Sequence, residues 1–239
     1  MPYNVLIYNK PMNYTPEQIS QIVLKVLKEV EEPDILGLSY EEKIELADNQ
    51  NTPQETLAIL ATDEDSDVRC CVALNKNTSQ ETLRLLATDK NPDVRCCVAN
   101  NQNTSQEILK SLATDEDSGV RWRVAQNPNT SQETLAILAT DDDWSVRNLV
   151  ALNPNTSQET LAILATDKNS GVRWRVANNP NTSQELLGIL ATDKDSYVRN
   201  SATENPNYKK QTLELNTTQY DALKKLIKSG QDEVLKGIM

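Results

Sequence analysis

One pattern of 26 residues recurs six times in this 239-residue chain, and it restricts the fold more than any other feature of the sequence. The six units begin with an Asn-Thr pair, at Asn51, Asn77, Asn103, Asn129, Asn155 and Asn181. A unit this short cannot bury its apolar side chains alone, so successive units must stack against each other. The hydrophobic content of 38% and the absence of Phe fit many small contacts between units better than one large spherical core.

Each unit predicts two short helices, helix A followed by helix B. In the first unit Thr52 is the expected N-cap of helix A, and Glu55 three residues later completes a capping box. Asp65 is the expected N-cap of helix B, whose inward pair is Val68 and Val72. In later units an Asn-Pro pair follows helix B. We expect it to end that helix, because the residue before Pro is forced out of the helical region.

The ends of the chain are expected to cap the stack. Ser39–Glu42 is a further capping box that begins a degenerate half-repeat, and helices are expected over residues 15–30 and 218–229. The predicted domain organisation is therefore an N-terminal cap, six repeats and a C-terminal capping region, over residues 1–50, 51–206 and 207–239.

The composition argues against most enzyme and membrane functions. The chain has no His, so it lacks the usual neutral-pH general base and the commonest metal ligand. Its net charge of −11 disfavours nucleic acid and anionic membranes as partners. The N-terminus lacks the pattern of a secretory signal, and no segment has the roughly 18 apolar residues of a membrane span. The sequence thus predicts a cytoplasmic protein without enzymatic activity, cofactor, metal or membrane contact.

The string TDxxxxVRxxVAxNPNTSQExLxxLA, repeated over residues 51–206, resembles the variant leucine-rich repeat family, which are HEAT-like bacterial proteins. The resemblance implies an all-α fold: a right-handed α-solenoid, or superhelix, of two-helix repeats with helical caps and no β-sheet core. It leaves open whether the first helix of each repeat is α or 3₁₀, and it implies no single activity. One type of member holds an iron-sulfur cluster on cysteines near its N-terminus, but the first cysteine here is Cys70, so that cofactor does not carry over.

An Asp and an Arg six residues apart recur in every unit. Because the pair does not vary, we interpret it as a ladder of ion pairs that fixes how units stack. HEAT-like repeats resemble this chain in having such a ladder. The alternative is a polar track for a charged ligand. The twelve residues are Asp63, Arg69, Asp89, Arg95, Asp115, Arg121, Asp141, Arg147, Asp167, Arg173, Asp193 and Arg199.

Two cysteine doublets, Cys70-Cys71 and Cys96-Cys97, occupy equivalent positions in the first two units. They suggest a four-thiolate metal site, but adjacent residues on a helix point about 100° apart. Stacked helices lie roughly 8 to 10 Å apart, whereas the Cα atoms of a disulfide lie within about 7 Å. We therefore expect four free thiols.

The positions that vary most between units form one face of helix B, opposite the Val stripe. In the first unit they are Asp67, Cys70, Cys71 and Leu74, at helical spacing. We expect this face to be an exposed strip that binds ligands, as in other solenoids. Its predicted binding residues are Trp122, Arg123, Asn148, Leu149, Trp174, Arg175 and Tyr197.

Units three and five share a further pattern within this strip, a Gly followed three residues later by Trp-Arg. Trp and Arg are enriched at binding hot spots, and the Gly is expected to clear the turn on which the indole rests. The same match would arise from duplication of a 52-residue double unit, and the sequence does not separate the two explanations. The residues are Gly119, Trp122, Arg123, Gly171, Trp174 and Arg175.

These observations predict a monomeric, non-enzymatic scaffold that binds a protein or peptide along helix B. The two Trp-Arg platforms lie two units apart, roughly 16 to 20 Å, and their Arg groups would select a segment with an apolar residue near an acidic one. A second hypothesis is an enzyme similar to HEAT-repeat bilin lyases, or an accessory protein of one. A third is a nucleic-acid-binding protein that uses Arg121, Arg123, Arg147, Arg173, Arg175 and Arg199.

Overall fold

The computed structural model describes residue 35, residues 37–209 and residue 225. The helix expected at residues 15–30 and, apart from residue 225, the one expected at 218–229 lie outside the described residues. Thirteen α-helices and no strand occur in the described part of the chain, which confirms the all-α, helical-repeat class. No helix in these ranges is long and apolar enough to cross a membrane.

The chain forms two compact units, Met1–Ile108 and Leu109–Met239, each of which holds several of the 26-residue repeats. The word unit is kept for these two, and α6 contains the boundary between them. The first unit holds α1 (Tyr40–Asp48), α2 (Gln54–Leu60), α3 (Ser66–Leu74), α4 (Gln80–Leu86), α5 (Pro92–Asn100) and the start of α6 (Gln106–Leu112). The second holds the end of α6 and α7 (Ser118–Gln126), α8 (Gln132–Leu138), α9 (Trp144–Leu152), α10 (Gln158–Leu164), α11 (Ser170–Asn178), α12 (Gln184–Leu190) and α13 (Ser196–Glu204).

Helix A is an α-helix of seven residues in every repeat. Its expected N-cap, Thr52 in the first repeat, was wrong, because Thr52 donates to the Leu46 carbonyl at 2.6 Å and Pro53 precedes the helix. In the repeat that begins at Asn129, Ser131 is the N-cap and accepts a hydrogen bond from the Thr134 N–H. The preceding Thr130 is buried and donates to the Val124 carbonyl at 2.6 Å. The last-turn carbonyls of a helix lack internal partners. The Thr at this position of the repeat therefore caps the end of helix B and not the start of helix A.

Helix B begins as predicted, with Asp or Asn at the N-cap. Asp143, for example, accepts from the Ser145 N–H at 2.8 Å. The C-cap is an Asn in extended conformation whether or not Pro follows, as Asn75 and Asn153 show. Pro is therefore not what ends the helix.

Fully buried aliphatic side chains form a continuous core within each unit. Helix A contributes two Leu per repeat, such as Leu135 and Leu138, and helix B contributes two Val, such as Val146 and Val150. Successive B helices pack directly on one another: α1, α3 and α5 in the first unit, and α7, α9, α11 and α13 in the second. Seven-residue A helices would be unstable alone, so this packing holds them in place.

Within each unit, a column of buried asparagines joins a repeat to the one before it. Asn153 donates from Nδ2 to the Ala125 carbonyl at 2.9 Å and to the Asn127 carbonyl at 3.1 Å, at the end of the preceding helix B. Its Oδ1 accepts from the Asn155 N–H at 2.9 Å. The Ala125 carbonyl is one that the helix leaves unpaired, whereas the Asn127 carbonyl also accepts from the Thr130 N–H at 3.1 Å. The buried C-cap residues are Asn75, Asn101, Asn127, Asn153, Asn179 and Asn205.

Candidate functional site

Within each unit, the recurring Arg bonds to its own repeat and, where another repeat of that unit follows, to the Asp of that repeat. In the second unit, Arg147 donates from Nη1 to the backbone carbonyls of Asp141 and Asp142, at 2.6 and 3.0 Å. Its Nε and Nη2 donate to the two carboxylate oxygens of Asp167 in the following repeat, at 2.6 and 3.0 Å. Arg147 is only 5% exposed, so this bidentate pair lies within the stack.

The same arrangement repeats along both units. The side-chain pairs are Arg69 with Asp89, Arg121 with Asp141, and Arg173 with Asp193. Backbone bonds to the local carbonyl are made by Arg95 to Asp89, Arg121 to Asp115, and Arg199 to Asp193. In the degenerate first repeat Lys43 stands in the place of Arg, 2.8 Å from Asp63.

The electrostatics of the ladder favour ionised carboxylates. Burial alone would raise the pKa of Asp167, but the hydrogen bonds from Arg147 and from the Asn169 N–H lower it below its ordinary value of 3.8. The bond from Arg173 lowers the pKa of Asp193 against a smaller opposing effect of burial. The pKa values of Asp63 and Asp89 are lowered in the same way as that of Asp167, with Lys43 and Arg69 as the respective cations. These residues thus form a fixed, charge-balanced framework.

The predicted strip lies on four successive B helices of the second unit. Trp122 and Arg123 are on α7, and Trp174 and Arg175 are on α11; all four are half-buried, as are Asn148 and Leu149 on α9. Tyr197 on α13 is 76% exposed. The strip is therefore less exposed than its variability suggested, because successive B helices pack closely.

The two Trp-Arg platforms differ in how their guanidinium groups are held. In each, the Arg Cζ lies 4.8 Å from the centroid of the neighbouring Trp ring. Arg123 then donates to Gln126 of its own helix at 3.0 Å. Arg175 instead donates to Asn148 of the preceding repeat at 3.3 Å, and Asn148 donates to the Gly171 carbonyl at 3.2 Å. The structure thus brings Asn148 together with Trp174 and Arg175, whereas the sequence match predicted two equal platforms.

Asn148 and Arg175 are 27 residues apart, and Cys70 and Cys97 have the same separation. The prediction of four free thiols was wrong for these two cysteines. Cys70 and Cys97 form a disulfide with a Cα–Cα distance of 5.6 Å, while Cys71 and Cys96 lie outside this bond and are half-buried. The expectation of four free thiols used the distance between helix axes. Cα atoms lie about 2.3 Å off the axis, so two that face each other come within disulfide range.

Trp144 is part of this surface, and the sequence analysis missed it. It is the first residue of α9 and 51% exposed. A Cβ on Gly171 would lie 3.9 Å from its Cζ3, so the Trp144 indole lies beside Gly171. One signal could have found it: the equivalent position is Ser or Pro in the other five repeats, at Ser66, Pro92, Ser118, Ser170 and Ser196.

An open hollow of about 310 Å³ lies beside this cluster. Ser170 and Gly171 line it at the start of α11, Trp174 lies one turn further along that helix, and Asp195 and Tyr197 line it from the next repeat. Within the described residues no group of three or more Cys, Asp or Glu is placed to hold a metal ion. The arrangement offers aromatic surface and hydrogen bonds, and it shows no nucleophile paired with a base.

Comparison with known proteins supports the helical-repeat fold. Residues 145–206 match the family described as Leucine Rich Repeat Variant domain. A solved structure titled as a leucine-rich repeat variant with a novel repetitive protein structural motif is 28% identical, with a TM-score of 0.56, over 79% of this chain and 72% of that one. The solved structure of an engineered protein is 20% identical and covers 68% of this chain and 94% of that one. Its TM-score of 0.36 is too low to bear on the fold. No curated protein is similar in sequence.

Fold and surface together define a class, the all-α helical-repeat proteins. Within that class, residues 145–206 match the Leucine Rich Repeat Variant family, and the chain is similar to a solved leucine-rich repeat variant, which confirms the resemblance found in the sequence.

We predict that Arg147→Ala lowers the free energy of unfolding by about 1 to 3 kcal/mol, because it leaves the Asp167 carboxylate buried without its cation. Urea denaturation followed by Trp fluorescence measures this, since all three Trp lie in the second unit. Lys110→Ala is the control: it breaks the exposed pair with Glu133, worth less than about 1 kcal/mol. Equal effects of the two substitutions would contradict the buried ladder.

The lowered pKa values of Asp167 and Asp193 predict acid sensitivity. Their carboxyl groups bind protons at higher pH in the unfolded chain than in the folded one, so acid favours unfolding. Stability should be complete above the ordinary pKa of 3.8 and should fall as the pH drops through the lower folded values. Urea midpoints between about pH 5 and pH 2 test this, and a midpoint that stays constant would refute it.

Proposed function

We propose that this chain is a non-enzymatic binding scaffold whose second unit binds an extended segment of a partner protein on the helix B strip. The observation that carries the proposal is the Arg175 guanidinium: it is held by Asn148 and Trp174 beside an aromatic hollow and has no carboxylate partner among the described residues. A fold of stacked repeats supports this use, because it presents a series of side chains at regular spacing on a stable frame.

The hollow fits an apolar side chain of the partner. Tyr197, which is 76% exposed, lines it, and Trp144, which is 51% exposed, lies beside Gly171 of its lining. Gly171 contributes no side chain and so keeps the hollow open. Exposed aromatic surface around a small cavity gains most from burying an aliphatic or aromatic group.

Arg175 fits a carboxylate of the same partner. It differs in this from the Arg residues of the ladder, because Arg121, Arg147 and Arg173 are each already bound to an Asp. Arg175 bonds only to a neutral amide and stacks on an indole, which fixes its direction without neutralising its charge. A planar guanidinium so held can bind a carboxylate with two parallel hydrogen bonds.

The two features together define the ligand. Trp174 borders the hollow and Arg175 follows it in the chain, so the apolar and the acidic groups must be close. Residues of an extended peptide are about 3.3 Å apart, which places the acidic residue one or two positions from the apolar one. The ligand is therefore a short extended segment with Asp, Glu or a C-terminal carboxylate next to a large apolar residue.

The proposal predicts which peptides are enriched when a library of random peptides is selected for binding to the full chain. Enriched peptides should pair an apolar with an acidic residue, and replacing the acidic residue by its amide should weaken binding by about tenfold or more, as loss of a charged hydrogen bond does. Gly171→Leu, which fills the hollow, and Arg175→Gln should each cause a similar loss. Affinity is measured by fluorescence polarisation of the labelled peptide.

Controls separate binding from folding. Gly188→Leu places the same side chain on α12, where nothing lies within 4 Å of the added Cβ, and should bind as the wild type does. Circular dichroism must show the helical content of every variant unchanged, with Trp174→Ala as a second variant if Gly171→Leu is unstable. Selected peptides that bind both site variants with wild-type affinity would overturn the proposal. Salt-dependent, submicromolar DNA binding would favour a nucleic-acid function, and bilin-dependent colour on co-expression would favour a lyase.

A further inference from the structure

We propose that Cys70 and Cys97 are a reversible thiol–disulfide site that links α3 to α5 when a low-molecular-weight disulfide oxidises the chain. This site lies in the first unit, on the helix B positions that carry Asn148 and Arg175 in the second. It is independent of the peptide-binding strip.

The geometry that brings the two sulfurs together does not depend on the bond between them. Asn101 donates to the Ala73 and Asn75 carbonyls at 2.7 and 3.1 Å, which fixes α5 against the end of α3. Arg69, on α3, holds Asp89 just before α5. Equivalent bonds join repeats that have no cysteine at these positions, such as those holding α9 and α11. Hence the two thiols stay facing each other in the reduced chain, and reduction leaves the fold intact.

The register of the stack selects this pair among the four cysteines. Residues 27 apart face each other on successive B helices, and Cys70 with Cys97 is the cysteine pair with that offset. Neighbours within a doublet point about 100° apart on one helix and so do not face each other. Cys71 and Cys96 lie outside this pair and are half-buried, and burial raises the pKa of the Cys71 thiol, which keeps it protonated.

The reaction balances through a mixed disulfide. The thiolate of one cysteine attacks the small disulfide RSSR and releases one RS⁻, which takes up the proton as RSH. The second cysteine then attacks the mixed disulfide and releases the second RSH. The two thiols are oxidised by two electrons and RSSR is reduced to two RSH, so an excess of RSH reverses the reaction. Both cysteines are only half-buried, so a small reagent can reach them.

The bond changes the dynamics of the first unit and not its fold. It joins residues 27 positions apart, which restricts the open states in which α5 separates from α3. Amide hydrogens of these two helices should therefore exchange at least about tenfold more slowly in the oxidised chain than in the reduced chain.

Trypsin places the two doublets on separate peptides, residues 70–76 and 96–110, because Arg69, Lys76, Arg95 and Lys110 flank them. The full chain is treated with excess oxidised glutathione, alkylated, digested and analysed by mass spectrometry. We expect a linked pair of these peptides in the wild type and in Cys71→Ser/Cys96→Ser, and none in Cys70→Ser/Cys97→Ser. Excess reduced glutathione should remove the link and leave the helical circular dichroism unchanged.

Three results would overturn the proposal. They are a link that persists in Cys70→Ser/Cys97→Ser, a wild-type chain whose four thiols all stay free in excess oxidant, and loss of helical signal on reduction. If a serine variant fails to fold, hydrogen exchange of the wild type still decides: equal exchange of α3 and α5 amides in the two redox forms contradicts the proposed link.

Discussion

The buried asparagine at the end of each B helix is the interaction on which the rest of this structure depends. It closes its own repeat through a bond to the backbone two residues later, and it donates to the last carbonyls of the repeat before, as Asn179 does to Ala151 at 2.7 Å. Such carbonyls would be buried without a partner if the neighbouring repeat shifted by even one residue. The asparagine therefore sets the register between repeats, and the Arg–Asp pairs follow from that register.

A fixed register explains why one face of helix B can vary. The Asn, Arg and Asp positions hold the helices, so the side chains that meet across the stack at an offset of 27 residues are free to change in pairs. Cys70 and Cys97 fill these positions in the first unit, and Asn148 and Arg175 fill them in the second. Contact between neighbouring repeats is therefore one use of sequence variation on this face. Tyr197 and Trp144 are exposed, and they belong to the ligand surface that we propose.

The sequence alone predicted what depends on local chemistry and periodicity. The 26-residue period, the Asp and Asn N-caps of helix B and the inward Val pairs follow from short-range rules, and the structure has all three. Thr130 was assigned to the wrong helix end because a Thr hydroxyl can accept from the following helix or donate to the preceding one, and only the fold decides. The link between Cys70 and Cys97 and the position of Trp144 beside Gly171 depend on the offset between stacked helices, which no single repeat encodes.

The most direct test of this account is the stability of Asn153→Ala. The substitution leaves the buried Ala125 carbonyl without this donor, while the Asn127 carbonyl keeps its bond from the Thr130 N–H, so the free energy of unfolding of the second unit should fall by about 1 to 3 kcal/mol. Asn155→Ala is the matched control, because Asn155 makes similar bonds to the preceding repeat from an exposed position, and it should lower stability by less than about 1 kcal/mol. Urea unfolding followed by Trp fluorescence measures both. An Asn153→Ala chain as stable as the Asn155→Ala chain would contradict the claim that the asparagine column sets the register.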